Sequence, residues 1–321
     1  MRRARWVEAD RIRRPARPHS PWPGREYTVA GDRVFVRSTP ATSDHAEPAV
    51  LVHGLGGSSQ HWTDLADSLS DHVASDAIDL PGFGHSAPVK GASIRHYAQI
   101  VAGWIAQRGR GPVHLAGNSL GGAVAVWVAA TRPQLVKTLT LISPAMPFTD
   151  PRYSRQSRFV PMLALPRLDV MAGRFLRRKD PEQLVHEITS STWARPYDMD
   201  PQRYREAVDE ARSRQVIPWT STAYVGAFRG LMGSFLQTLV PHSPTLWRKA
   251  GDVRVPTLVV WGKEDRIIDV RQAPRTAAAF QDGYLLILGG VGHVAQMEDP
   301  EAVARAMAAL VEGKPGRERL R

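Results

Sequence analysis

The 321-residue chain has no cysteine, which removes disulfides, thiolate metal sites and cysteine nucleophiles from consideration. Long apolar runs are also missing. The stretch AVAVWVAA (123–130) is followed by Thr131, Arg132 and Pro133 and falls well short of the roughly 20 residues that cross a bilayer. No two histidines have the HExxH spacing of a zinc helix, and there is no zinc-finger spacing, no RNP-like aromatic motif and no Walker loop. Metal catalysis and specific nucleic-acid binding are therefore set aside, and no cofactor is expected.

Acidic charge is in short supply, with 31 Asp and Glu against 42 Lys and Arg for a formal net charge of +11. Such an excess speaks to solubility and association rather than to fold. Part of it sits in residues 1–24, where Arg2, Arg3, Arg5, Arg11, Arg13, Arg14 and Arg17 face only Glu8 and Asp10. Without an apolar core this segment does not read as a secretory signal. It reads as a basic arm, solvated ahead of the fold, with Trp6 and Trp22 as the residues able to pack down and weak contact with an anionic surface as its one implied partner. Freedom from cysteine fits a reducing compartment, so a cytoplasmic protein is expected, any membrane contact being peripheral.

Hydrophobic patterning predicts an α/β fold. REYTVAGDRVFVRST (25–39) alternates apolar and polar residues around Ala30-Gly31-Asp32, as a β-hairpin does. A short wholly apolar run ending in glycines, AVLVHGLGG (49–57), and further strand-like stretches, HVASDAIDL (72–80), GPVHLAGNS (111–119) and VKTLTLISPA (136–145), are separated by segments with helical spacing. Strand alternating with helix implies a mostly parallel sheet covered on both faces. From 146 to 250 the texture changes to short amphipathic segments broken by proline, which predicts an inserted helical unit. The alternation resumes over 251–313, and 314–321 is a polar tail.

One short stretch carries the chemistry. AGNSLGGA (116–123) puts a lone serine between glycines directly after a buried strand. The G-x-S-x-G spacing is that of a sharp strand-to-helix turn that lifts a serine oxygen clear of the sheet. An ordinary turn that happens to hold a serine would look the same, so Ser119 needs partners to be read as a nucleophile: a base within reach and a group that orients it. Asp265 ends the apolar strand VVWGKED, and His293 lies in the glycine-rich loop GGVGHVAQMED after the next strand. Both fall at the carboxyl ends of parallel strands, where side chains converge.

The chain order Ser119, Asp265, His293 resembles that of the α/β-hydrolase family. The resemblance spans roughly residues 25–313, and the insertion stands where these enzymes carry a cap. It implies that HGLGG (53–57) is the oxyanion loop, with the backbone N–H groups of Leu55 and Leu120 as donors, and that DLPGFGHS (79–86) is structural. Ser143 occupies the place from which some members supply the acid. Glu264 and Asp269 are near neighbours of Asp265, but WGKED matches the family's WGxxD. His53 is expected to shape the oxyanion loop, and His61, His85, His96 and His114 to be surface or packing residues.

The resemblance implies two-step acyl transfer to water, with a small to medium hydrophobic carboxylic ester as substrate. GNSLGG, HGLGGSSQHW and GHVAQMED also resemble the carbon–carbon hydrolases that cleave meta-cleavage dienones. Those favour tryptophan where this chain has Val294 and Met297, and they want a basic cap residue, for which Arg152, Arg155, Arg158, Arg174 and Arg195 are candidates. Met162, Leu163, Leu165, Met171, Phe175, Trp193, Trp219, Tyr224, Phe228 and Phe235 could roof an apolar pocket or form the cap's own core. A non-catalytic binding protein on the same fold is the alternative of another class.

Overall fold

The computed structural model describes residues 2–13, 18–89, 91–148, 150–154, 167–240 and 242–314. Its chain order is β1 (Arg2–Arg3), β2 (Gly24–Val29), β3 (Asp32–Thr39), β4 (Glu47–Val52), α1 (Thr63–Ser68), β5 (Val73–Ile78), α2 (Ile94–Arg108), β6 (Val113–Asn118), α3 (Leu120–Thr131) and β7 (Val136–Ile142). Then come α4 (Leu168–Leu176), α5 (Pro181–Thr192), α6 (Pro201–Val216), α7 (Thr220–Leu236), α8 (Leu246–Asp252), β8 (Thr257–Gly262), α9 (Ala273–Ala278), β9 (Gly283–Leu288), α10 (Ala295–Glu298) and α11 (Pro300–Val311).

Among the described residues, nine strands form one sheet in the order β1-β9-β8-β7-β6-β4-β5-β3-β2. β2 and β3 pair antiparallel, as does β3 with β5; every other pairing is parallel. The β2–β3 turn uses positive φ at both Ala30 (52°) and Gly31 (91°), the mirror-image turn whose twist suits a two-residue hairpin. β6 and β8 are buried at every position, because helices cover both faces of the sheet. On one face α2, α3, α8 and α9 enclose a core containing Trp104, Val124, Val128 and Trp261. On the other, α1, α10 and α11 enclose Trp62, Leu65, Leu69, Val303 and Met307. The α3 sequence is apolar almost all round, and it is correspondingly buried nearly all round. No helix among the described residues is long and apolar enough to cross a membrane.

The chain leaves β4 for β5 on one side, while β6 lies on the other. That reversal opens a crevice at the carboxyl ends of β4 and β6, the usual ligand position in open α/β sheets.

Two expectations about domain limits need correction. Residues 2–13 are not a solvated arm. β1 extends the sheet by pairing with β9, Arg2 donates to Asp282 at 2.9 Å, Arg11 pairs with Glu312 and Arg13 with Asp67, and Ile12 is buried in the second core. The reason is an edge strand with free backbone groups beside uncompensated carboxylates, neither of which is visible from the arm's own composition. Deleting residues 2–13 is expected to lower Tm by about 3–5 °C, since burial of Ile12 alone is worth about 1.5–3 kcal/mol. Differential scanning fluorimetry would show it, and an unchanged Tm would restore the solvated arm. The second correction concerns the expected boundary at residue 250, which cuts through α8. Leu246 and Ala250 are buried in the first core, so α8 belongs to the sheet's helical layer.

Between β7 and α8 the described residues form the helices α4–α7. Val185, Val208 and Ala211 make a separate small core between α5 and α6, and Trp193 is buried, whereas Met171 and Phe175 are exposed. Met162, Leu163, Leu165, Arg155 and Arg158, as well as Arg14, Arg17 and the tail from 315, lie outside the described residues.

Candidate active site

Ser119 sits between β6 and α3 with φ 52° and ψ −115°, a backbone conformation that costs a non-glycine residue about 1–3 kcal/mol. Its neighbours explain how the turn is tolerated. A Cβ at Gly117 would overlap the carbonyl of Gly121, and one at Gly121 would overlap the carbonyls of Val52 and His53. Helix α3 can therefore start hard against β4 only without side chains there. The turn is held by Ser119 N–H donating to Ile142 O at 3.0 Å and by Ala145 N–H donating to Ser119 O at 2.9 Å.

Asp265 lies just past β8, its side chain wholly buried. Its Oδ1 accepts the N–H groups of Ile267 (2.8 Å) and Ile268 (3.0 Å), and its Oδ2 lies 2.9 Å from His293 Nδ1. With Nδ1 so engaged, Nε2 is the imidazole nitrogen left for chemistry. His293 is nearly buried, and it lines one cavity together with Ser119, Leu55, Tyr224, Phe228, Leu231, Met232, Phe235, Ile267 and Ile268. The rival acids are occupied elsewhere: Glu264 accepts the N–H groups of Gly290 and Val291, and Asp269 pairs with Arg271 at the surface. Ser143 has φ 42° and a buried hydroxyl.

The loop after β4 is a tight turn. Gly57 N–H donates to Gly54 O at 3.0 Å, and Gly56 has φ 74°, the third-position geometry that favours glycine in a type II turn. The N–H of Leu55, at the second position, takes no part in that turn, and the N–H of Leu120 opens α3, where no intrahelical acceptor exists. Gly54 leaves room for the Ser119 side chain, since a Cβ there would stand 3.1 Å from Ser119 Cβ. His53 is fully buried; Leu80 N–H donates to its Nε2 at 2.9 Å while Nδ1 lies 2.7 Å from Gly54 O. Burial drives its pKa down to about 3, so it is a neutral brace for the loop. Asp79 is likewise structural: burial pushes its pKa up, while the N–H groups of His85 and Ser59 donate to it and oppose that shift. His114 is buried against Thr138, and His96 pairs with Asp32.

Several positioning residues escape a sequence reading. Asn118 Nδ2 donates to Ile142 O and His293 O, both at 3.1 Å, tying the serine strand to the histidine loop; its place beside Ser119 was the available signal. Glu298 accepts from Gly292 N–H and from Ala194 N–H of the cap. Burial pushes its pKa up against those bonds. His293 N–H donates to Thr192 O at 2.7 Å, and Arg266 donates to the carbonyls of Ser190 and Trp193. The end of α5 is thus clamped to the histidine loop.

The loop after β4 has its own clamp. Arg214 of α6 donates to the carbonyls of both Gly56 and Gly57 and to Glu210 at 2.7 Å. Burial alone would raise the Glu210 pKa, but Arg214 and His61 hold the carboxyl below its usual range. In sequence Arg214 looks like any charge on a solvated helix face. Arg214→Lys is expected to lower kcat about 10- to 100-fold while KM and Tm hold, because an ammonium keeps the charge beside Glu210 but loses the fork that orients two carbonyls. Steady-state kinetics would check this; an unchanged kcat would make the clamp irrelevant to turnover.

Residues 48–300 match the alpha/beta hydrolase fold family. The chain is 28% identical over 263 residues to the dihydrolipoyllysine-residue acetyltransferase component of the acetoin cleaving system of Cupriavidus necator, covering 79% of this chain but only 60% of that relative. It is 28% identical over 268 residues to the 2-hydroxy-6-oxo-6-(2'-aminophenyl)hexa-2,4-dienoic acid hydrolase of Metapseudomonas resinovorans, covering 81% and 82% of the two chains. A crystal structure of a bacterial membrane phospholipase A superposes with a TM-score of 0.73 at 24% identity, over 92% of this chain and 87% of that one. With the family match running from β4 to the start of α11 on a sheet of this topology, the chain belongs to the α/β-hydrolase fold family and is a hydrolase of that fold.

Proposed function

We propose that the protein is a serine esterase acting on small to medium carboxylic esters. The observation that carries this reading is one apolar cavity into which a serine on a strained turn and the imidazole of a buried Asp–His pair both open. In the proposed cycle His293 Nε2 takes the Ser119 proton as Oγ attacks the ester carbonyl, and Asp265 holds the imidazole as the Nδ1–H tautomer and stabilises the imidazolium. The N–H groups of Leu55 and Leu120 meet the developing oxyanion. His293 then protonates the departing alcohol, and a water activated by the same imidazole releases the acid.

Within the cavity that Ser119 lines, no Arg or Lys among the described residues awaits the carboxylate of a dienone acid. Arg152 pairs with Asp150, Arg195 pairs with Asp198, and Arg174 is exposed. The hydrolase from Metapseudomonas resinovorans keeps carbon–carbon cleavage as the alternative. A panel of p-nitrophenyl esters of graded chain length, run beside a dienone carboxylate, decides between them. Turnover is expected to peak at short to medium acyl chains with the dienone at least about 100-fold slower; the reverse ranking would establish the carbon–carbon hydrolase.

A further inference from the structure

A second and larger cavity of 370 Å³ abuts the catalytic one. Phe148 lines both, and its ring meets that of Phe235 edge to face, with centroids 5.2 Å apart. The outer cavity shares an apolar side with the catalytic one, in Pro147, Phe148, Val240 and Trp247, but adds two basic side chains. The catalytic cavity is walled largely by Leu, Ile, Met and Phe, whereas the outer one is bordered by Arg248, Arg275, His242, Thr238, Ser243 and Thr245. No carboxylate borders the outer cavity among the described residues. Neither arginine has a carboxylate partner there: Arg275 lies over the Trp247 ring, 4.4 Å from its centroid, and Arg248 is exposed. Trp247 itself donates from Nε1 to Pro147 O at 2.8 Å, which orients the ring beneath Arg275.

Some exposed arginines, among them Arg11, Arg152 and Arg271, have an acidic partner, and Arg248 and Arg275 belong with those that do not. Two guanidinium groups without one, at a concave site flanked by hydroxyls, have the chemistry of an anion site. Sharing Phe148 with the cavity that Ser119 lines, that site would hold the far end of a substrate whose ester lies in the apolar cavity. We infer that the outer cavity is an anion-binding subsite, and that the preferred substrate is an ester carrying a carboxylate or phosphate-type group at its distal end. The inference rests on the esterase reading above. Phe148 and Phe235 then act as the divider that a bound chain passes.

The test compares matched esters: the mono-p-nitrophenyl ester of glutarate, its methyl-capped neutral counterpart, and the corresponding phosphonate-terminated ester. In Arg248→Glu/Arg275→Glu the ratio of kcat/KM for charged over neutral ester is expected to fall about tenfold, with the neutral ester changed less than about twofold. In the wild-type enzyme that ratio is expected to shrink between about 20 mM and about 500 mM NaCl. A larger loss for the phosphonate ester would identify a phosphate headgroup as the natural anion, and a larger loss for the glutarate ester a dicarboxylic acid. A ratio that does not respond, or a parallel fall for both charged and neutral esters, would overturn the subsite. Ser119→Ala run alongside separates the two readings: turnover persisting there indicts the serine assignment, whereas a flat ratio with an inactive Ser119→Ala protein indicts only the anion site.

Discussion

Ser119→Ala is expected to lower kcat for p-nitrophenyl butyrate by at least about 10⁴-fold while leaving the fold intact. The size of the effect follows if Ser119 Oγ is the attacking atom: the other hydroxyls of the cavity, on Ser154, Thr192 and Tyr224, do not stand on the strained turn, and Ser143 carries its oxygen buried. The fold survives because alanine at φ 52° is no worse placed than serine, and the contacts that hold the turn, Ser119 N–H to Ile142 O and Ala145 N–H to Ser119 O, are made by backbone. Stopped-flow detection of a p-nitrophenol burst gives a second readout, present in the wild-type enzyme and absent in the variant. Full activity in a folded Ser119→Ala protein would refute the nucleophile.

Asp265→Asn is expected to cost about 10⁴ in kcat with little change in Tm. Oδ1 of Asp265 accepts from two backbone N–H groups and Oδ2 faces His293 Nδ1. The single amide oxygen of asparagine can satisfy only one of these sides. Facing the two N–H groups of Ile267 and Ile268, it turns its NH₂ toward Nδ1, so the imidazole must hold its proton on Nε2 and cannot accept one from serine. Asp265→Ala removes both sets of bonds, and its Tm is expected to fall as well. Comparing kcat and Tm across the pair separates the two jobs of the carboxylate. Near-normal turnover in Asp265→Asn would show that the tautomer is set by something else.

The parts of this site legible in sequence are those whose physical requirement is local. Gly117 and Gly121 flank Ser119 because Cβ atoms would collide across the turn, and the need for small residues there is written in the spacing itself. Gly56 stands out only through the resemblance of HGLGG to a family loop; its positive φ in a four-residue turn is a finding of the structure. Asp265 and His293 each follow a run of buried apolar residues, and the periodicity of those runs places them at strand ends. Arg214, Glu298, Asn118 and Arg266 carry no such signature. Each acts on a backbone group far away in sequence, and a charged residue in a helix looks the same whether it faces water or grips a loop. The N-terminal segment misleads for a related reason, since seven arginines describe its charge but not the carboxylates of Asp67, Asp282 and Glu312 that receive it.

By itself, then, the sequence determined an alternating α/β chain, the strained serine turn and the order of three polar residues, because apolar periodicity and glycine sterics act over a few neighbouring positions. The tertiary structure alone decided that β4 and β6 lie side by side, that the histidine loop closes onto the end of α5, and that a cavity bordered by Arg248 and Arg275 adjoins the apolar one. Those outcomes depend on which distant backbone groups and charges remain unpaired once the sheet has assembled, and no local pattern encodes that.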